Sequence, residues 1–302
     1  MVALITGASG FIGGAVTRRL IDRAEVRGLT SHPLKDRFAG RVRAFAYAFD
    51  RDDAMADAFR GVDVFVNSYY IRFNYGGLSF DDAVQRSRTL IAHAQKAGVR
   101  RIVHVSVSNA SESSELPYYR NKARIELLVR ACGIEYAILR PALVVGDGDI
   151  LVNNIAYFLR RLPVFTLFGD GAYRVQPMTV DAFADVAVEA IDGGHQDAIV
   201  PVAGPKDWRF VDMVRAIRQT VRSRALIVRA PAWTALAGLK VAGAILGDVV
   251  LTSDEIEGLT SGYLCANEPL RRGPDFAEWL ADPAVGSSLG RRYESELRRH
   301  FA

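Results

Sequence analysis

One stretch near the amino terminus, VALITGASGFIGGAV from Val2 to Val16, limits what this chain can fold into. An apolar run is followed by Gly7, Gly10 and Gly13, and then by apolar residues at helical spacing, so a strand enters a helix through a glycine turn. Gly7 suits the tight turn, Gly10 lets a backbone approach a pyrophosphate, and Gly13 lets the helix pack closely on the strand. Phe11 and Ile12 complete the turn, Ser9 adds a hydroxyl, and the first amides of the helix face an anion. The pattern predicts a dinucleotide site at the first strand-to-helix junction.

The rhythm continues through the first half of the chain. Short β-rich runs at Val2 to Thr6, Glu25 to Thr30, Val42 to Phe49, Val62 to Asn67, Arg101 to Val107 and Glu135 to Pro141 alternate with helical patterns. Those helical patterns occupy Phe11 to Asp22, Asp53 to Arg60, Phe80 to Ala97 and Tyr118 to Ala131. This alternation predicts an α/β, Rossmann-type doubly wound parallel sheet with helices on both faces. After Pro141 the pattern loosens, with glycines at 146, 148, 169 and 171, while Asp197 to Val202 returns to the sheet. The expected division is a dinucleotide-binding core over 1–145 and a smaller, mainly substrate-binding lobe over 146–302, with some segments returning to the core.

The spacing Gly-x-x-Gly-x-x-Gly, in TGASGFIGG, resembles the short-chain dehydrogenase/reductase superfamily, particularly its extended and atypical branches. AGVRRIVHVSVSN, PYYRNKARIE, YAILRPALVVGDGDILVNNIAYFLRRLPVF, GDGAYRVQPMTVDAFADVAV and LGRRYESELRRH look like an epimerase/dehydratase-like branch. That branch includes the nucleotide-binding accessory subunit of respiratory complex I. The resemblance implies a nicotinamide cofactor and a Tyr-x-x-x-Lys pair.

The second strand ends in RGLTSHP, where Thr30, Ser31 and His32 offer donors but no acid, and Lys35 and Arg37 follow. NADP is therefore favoured over NAD. Asp50 resembles the family residue that hydrogen-bonds the adenine, with a plain turn aspartate as the alternative. Tyr118 and Lys122 stand four apart at a predicted helix start and share one face. By resemblance Tyr118 is the proton donor or acceptor for the substrate oxygen, while Lys122 binds the nicotinamide ribose and lowers the phenol's pKa. The resemblance implies a third member, a hydroxyl at the end of the fifth strand that holds the substrate oxygen. Ser108 is preferred and Ser106 is placed nearer the cofactor, although the sequence leaves both open. Asn67 and Ser68, closing the fourth strand, are expected to touch the cofactor; Pro141, Ala142 and Val144 resemble the segment backing the nicotinamide. Tyr69, Tyr70 and Arg72 either border the substrate or form an aromatic cluster.

Composition narrows the remaining classes. Among 302 residues, 38 Lys and Arg against 34 Asp and Glu give a net charge of +4. The basic residues are scattered, which argues against a nucleic-acid partner. Two distant cysteines, Cys132 and Cys265, suggest neither disulfides nor zinc. They fit a reducing cytoplasm, and a first strand beginning at Val2 leaves no room for a signal peptide. The histidines show no metal arrangement, and Asp147 with Asp149 reads as a loop turn rather than a calcium loop, so no metal is expected. Ala225 to Leu251 is strongly apolar but interrupted by charges, so no integral span is expected; it reads as a buried hairpin or pocket wall, with peripheral membrane contact as the minority alternative.

Two functions remain. One is an NAD(P)(H)-dependent oxidoreductase or epimerase/dehydratase-like enzyme acting on a small-molecule carbonyl or alcohol. The wall from Trp233 to Leu251 suggests a hydrophobic ligand, with a sugar nucleotide as the extended-family alternative. The other is a non-catalytic NADPH-binding scaffold or redox sensor associated with a larger complex. The oligomeric state is not legible.

Overall fold

Six short runs of branched and apolar residues become parallel strands that helices bury, except at Val42–Ala46 on the sheet edge, which is largely exposed. A computed structural model describes residues 1–31, 38–231, 243, 246–295 and 297. The strands are β1 (Val2–Thr6), β2 (Glu25–Thr30), β3 (Val42–Ala46), β4 (Val64–Asn67), β5 (Arg101–Val105) and β6 (Glu135–Pro141). Helices α1 (Phe11–Leu20), α2 (Asp52–Phe59), α3 (Phe80–Lys96) and α4 (Pro117–Ala131) lie between them. His32, Lys35, Arg37 and most of the expected apolar wall, including Trp233, lie outside the described residues.

The chain divides into two units: Met1–Pro141 with Val180–Val202, and Ala142–Thr179 with Ala203–Ala302. In the first, the returning strand Ala198–Ala203 pairs with β6, and the order continues β5, β4, β1, β2, β3, every pair parallel. The chain winds one way from β1 through β2 to β3 and the other way from β4 to β6. This is the Rossmann-type, doubly wound sheet, and its direction reverses between β1 and β4, where such sheets open a crevice at the strands' carboxyl ends.

Helix faces follow from apolar spacing. α3 places Ala83, Val84, Leu90, Ile91 and Ala94 inward; Ser79 and Asp82 form a capping box at its start, and Gly98 at φ +70 follows its last turn. Met55 and Phe59 of α2, Leu90 and Ile91 of α3, and Ile125 and Val129 of α4 close over Phe65, Ile102 and Ile138 of the sheet. On the other side α1 packs against the helix Val180–Ile191, joined at its rim by Arg19 with Asp181 and Asp185 and by Arg23 with Asp192. Those exposed pairs add about 0.5 kcal/mol each at most.

The second unit has its own core, in which Val152, Ile155 and Leu159 meet Phe210, Met213, Val214 and Ile217, with Ile256 and Phe276 alongside. Asn153 and Asn154 bind the backbone of Gly290, Arg292 and Glu294, which docks the later chain onto the helix Leu151–Arg161. Asp149 is buried, and its carboxylate accepts from the Gly146 and Val152 amides, so its oxygens organise a turn.

Candidate active site

The glycine turn closes on itself through backbone bonds. Gly7, at φ +62, donates to Leu29 O at 2.8 Å, Gly10 donates to Gly7 O at 2.7 Å, and Gly14 donates to Gly10 O at 2.9 Å. Only a residue without Cβ adopts that φ without strain. A Cβ on Gly13 would stand 2.3 Å from Gly7 O, so the start of α1 lies directly against the turn. Gly10 is exposed and provides no side-chain cap, the first turn of α1 holds no acid, and Arg18 and Arg19 sit in its last turn. An uncapped positive helix end above an exposed glycine turn fits a phosphate. Ser9, Phe11 and Ile12 flank this turn, half-buried.

Beside the turn, Thr6 and Ser68 tie the ends of β1 and β4 together. The Ser68 amide donates to Thr6 Oγ1 at 2.7 Å, and Ser68 Oγ donates to Thr6 O at 2.6 Å. Thr30 ends β2 buried and Ser31 follows it exposed. Asp50 is exposed on a turn beyond β3. The expected third strand stops at Ala46; the Tyr47 amide still donates to Thr30 O at 3.0 Å, and beyond it the Tyr47 and Phe49 rings stack on each other and pack against Tyr69. Tyr47 bonds to Thr6 and Gly7, and its burial pushes the phenol well above the ordinary tyrosine range. Arg86 lies over Phe49 and donates to the Tyr69 hydroxyl at 3.2 Å.

Tyr118 and Lys122 lie one turn apart at the start of α4, and both meet Tyr70. The Tyr118 ring meets it edge-on at 5.3 Å, and Lys122 Nζ lies 4.4 Å from its centre. Tyr70 also donates to Tyr118 O at 3.2 Å. Lys122 is buried and donates to Val105 O at 2.9 Å. Burial pushes its ammonium down to about 7, against the opposing pull of Glu126. His104, fully buried on β5, is pushed down to about 3, first by burial and then by Lys122. Its Nδ1 meets Asn67 O at 3.1 Å, which makes Nδ1 the protonated nitrogen.

Ser106 and Ser108 are both buried, and their amides continue the ladder to Leu139 O and Pro141 O. Ser106 Oγ donates to Glu126 Oε1, and the Arg140 guanidinium grips both oxygens of the same carboxylate. Pro141 is buried at the end of β6; Val144 is half-buried in the strand Leu143–Val145 of the second unit. Among the described residues no cluster of His, Cys, Asp and Glu could hold a metal ion.

Similarity to known proteins supports a nicotinamide-nucleotide-binding fold. Residues 7–154 match a family model described as NAD(P)H-binding. The chain is 25% identical over 291 residues to the mitochondrial NADH dehydrogenase (ubiquinone) 1 alpha subcomplex subunit 9 of Arabidopsis thaliana, covering 90% of this chain and 72% of that one. These likenesses fit an NAD(P)-binding, Rossmann-type chain of the kind the sequence resembles. The chain is also 29% identical over 211 residues to the (4-alkanoyl-5-oxo-2,5-dihydrofuran-3-yl)methyl phosphate reductase of Streptomyces griseus, covering 67% and 68% of the two chains. An NADPH-dependent quinone oxidoreductase of Escherichia coli, solved with NADPH, shares its fold at a TM-score of 0.73 and 20% identity, over 93% of this chain and 99% of that one. Of a Neurospora crassa 40 kDa NADH-ubiquinone oxidoreductase subunit, this chain spans only 43%.

Several residues around the site were not singled out from the sequence: Tyr47, His104 as a neighbour of Lys122, Glu126 and Arg140. Glu126 follows Lys122 by four residues, a spacing that signals a shared helix face. Nothing local signals Arg140, which reaches Glu126 of α4 from β6.

Proposed function

We propose that this protein is an NADP(H)-preferring oxidoreductase that interconverts a carbonyl and an alcohol, with Tyr118 as acid and base. The observation that carries the reading is the meeting of Tyr118 and Lys122 on Tyr70, at the same end of the sheet as an uncapped glycine turn. The bound nicotinamide would supply or accept the hydride. Tyr118 gives its phenolic proton to the alkoxide oxygen in reduction and takes it back in oxidation. A nearby Lys122 ammonium favours the phenolate and brings the phenol toward working pH. Ser106 spends its proton on Glu126, which supports Ser108 as the hydroxyl that holds the substrate oxygen.

Gly7, Ser9, Gly10, Phe11, Ile12 and Gly13 would hold the pyrophosphate; Thr30, Ser31 and Asp50 would hold the adenosine half. Asn67, Ser68, Ser106, Lys122, Pro141 and Val144 would serve the nicotinamide half. Thr30 and Ser31, uncharged at the end of β2, support NADP, and the cysteine usage supports a reducing compartment. Among the described residues no helix is long and apolar enough to cross a membrane. The names of the Streptomyces and Escherichia relatives support carbonyl-type substrates; a hydrophobic ketone or quinone is preferred over a sugar nucleotide.

The test is NADPH oxidation across a carbonyl panel. Tyr118→Phe is expected to lower kcat by roughly 10²- to 10⁴-fold while NADPH affinity stays within about threefold. Parallel loss of both would give the phenol a structural role and end this reading. One observation favours a second reading, a nucleotide-holding scaffold or sensor in a larger assembly: Lys122 is already engaged by Val105 O and the Tyr70 ring. The likeness to NADH dehydrogenase subunits points the same way. Tight NADPH retention, no turnover with any carbonyl, and copurification with a complex would establish it.

A further inference from the structure

The layer between the sheet and α4 changes character along the strands. Phe65, Ile102 and Ile138 contribute to the apolar cluster on that face. Two residues further along each strand, on the same face, stand Asn67, His104 and Arg140. Ser106 extends this polar row, and Lys122 and Glu126 cover it from α4, four residues apart and both buried.

The row is wired in one direction. Arg140 holds the Glu126 carboxylate through both oxygens, with Nε at 2.8 Å, and Ser106 donates to it as well. A buried carboxylate gripped in this way cannot turn toward or away from Lys122. Such pairs add little net stability over apolar residues of the same volume. The arrangement therefore calls for an explanation beyond packing, and Lys122, one turn away, provides it.

We propose that Glu126 is a positioning residue for the Tyr118–Lys122 pair: clamped by Arg140 and Ser106, it is the fixed counter-charge of Lys122, and Arg140 sets how much of that charge Lys122 feels. The inference rests on the reading of Lys122 as part of the reaction site. The groups facing Lys122 are Glu126 and Tyr118 from α4, His104 from β5, Tyr70 from the segment after β4, and the Val105 carbonyl. His104 stays neutral at working pH and Tyr70 is held protonated by burial. Glu126 is the group that favours the ammonium, and burial outweighs it, which pushes Lys122 down to about 7.

The chain has five lysines, at 35, 96, 122, 206 and 240. A lysine side-chain NMR titration of the whole protein without substrate therefore resolves Lys122. Glu126→Gln removes the counter-charge and leaves Arg140 unopposed, so the Lys122 midpoint falls by about one unit. Arg140→Met frees the carboxylate, so the midpoint rises by about as much, and Arg140→Lys returns it toward the native value. The alkaline limb of the kcat/KM profile moves with the midpoint in each variant. Midpoints that stay put in both variants, or move the same way, overturn the proposal. If Arg140→Met does not fold, an unmoved midpoint in Glu126→Gln does so alone. The titration needs no turnover: opposed shifts in a protein inactive on every carbonyl overturn the oxidoreductase reading and leave the counter-charge standing. Turnover with unmoved midpoints overturns the counter-charge alone.

Discussion

Adjacent glycines in α1 offer a controlled test of the cofactor turn. An alanine Cβ at Gly13 would stand 2.3 Å from Gly7 O, 2.7 Å from Gly7 C and 3.0 Å from Thr6 O. All three are backbone atoms, so no rotamer relieves the overlap, and α1 must retreat from β1 by about 1 Å to restore normal contact. At Gly14 the nearest atom, Ala8 O, is 3.5 Å away, an ordinary contact. Both positions are buried in the first turn of the same helix. The gain of roughly 1 kcal/mol in helix propensity on replacing glycine is therefore common to both and cancels in their difference. What remains is the overpacking term, about 1–3 kcal/mol. At roughly 2–4 °C per kcal/mol, Gly13→Ala should melt several degrees below Gly14→Ala. Retreat of α1 also carries its amides away from the turn. NADPH titration by fluorescence should show at least tenfold weaker binding in Gly13→Ala and near-native binding in Gly14→Ala. Equal melting temperatures and equal NADPH affinities would refute the view that Gly13 is there for close helix approach to a phosphate turn.

Other outcomes follow from the same geometry. Ser108→Ala should lower kcat by roughly 10²-fold or more, as loss of an oxyanion donor does. Ser106→Ala should mainly cost about 1 kcal/mol of stability, through Glu126; chemical denaturation and steady-state kinetics on both separate the roles. His104 has a folded pKa of about 3, below its ordinary value of 6.5. The unfolded chain therefore takes up a proton that the folded one refuses, and stability falls as pH drops from about 6.5 toward 3, by up to about 4 kcal/mol. Urea unfolding across that range should show a flatter slope for His104→Gln than for the native protein. Lys122 acts in the same sense at higher pH, with stability rising from about 7 toward 10.5 as the folded amine loses its proton first.

Local periodicity carried the sheet well and the site only in part. β1, β2 and β6 fall where alternating apolar runs end in glycine, turn or proline signals, and α3 ends at the glycine that stops it. β3 and β5 are shorter than their apolar runs. Tyr47 and Ser106 each keep an amide bond to the next strand, to Thr30 O and Leu139 O, while the Tyr47 and Phe49 rings join an aromatic cluster and the Ser106 hydroxyl turns to Glu126. An apolar or β-branched residue reads as strand whether it pairs or packs, so such ends are invisible in one dimension. Tyr118 and Lys122 were legible because a helix brings residues four apart together. Arg140 was not, because its partnership with Glu126 spans a strand crossover.

The charges at this site have to balance, because every member of the polar row except the half-buried Arg140 is buried. Arg140 and Glu126 cancel each other, and His104 stays neutral because a second buried cation beside Lys122 would be costly. With Lys122 as an ammonium the row carries one positive charge. Conversion of Tyr118 to phenolate brings the site to zero. The neutral alternative, amine with phenol, differs from it only by one proton moved between two side chains on the same helix face. On the proposed reading, proton loss would belong to the Tyr118–Lys122 pair as a unit. If Tyr118 transfers the proton as proposed, Lys122→Met should remove turnover together with any pair titration near neutrality. An ultraviolet titration of Tyr118 in that variant that still shows ionisation near neutrality would break the link between the two residues, and with it the case for proton transfer at Tyr118.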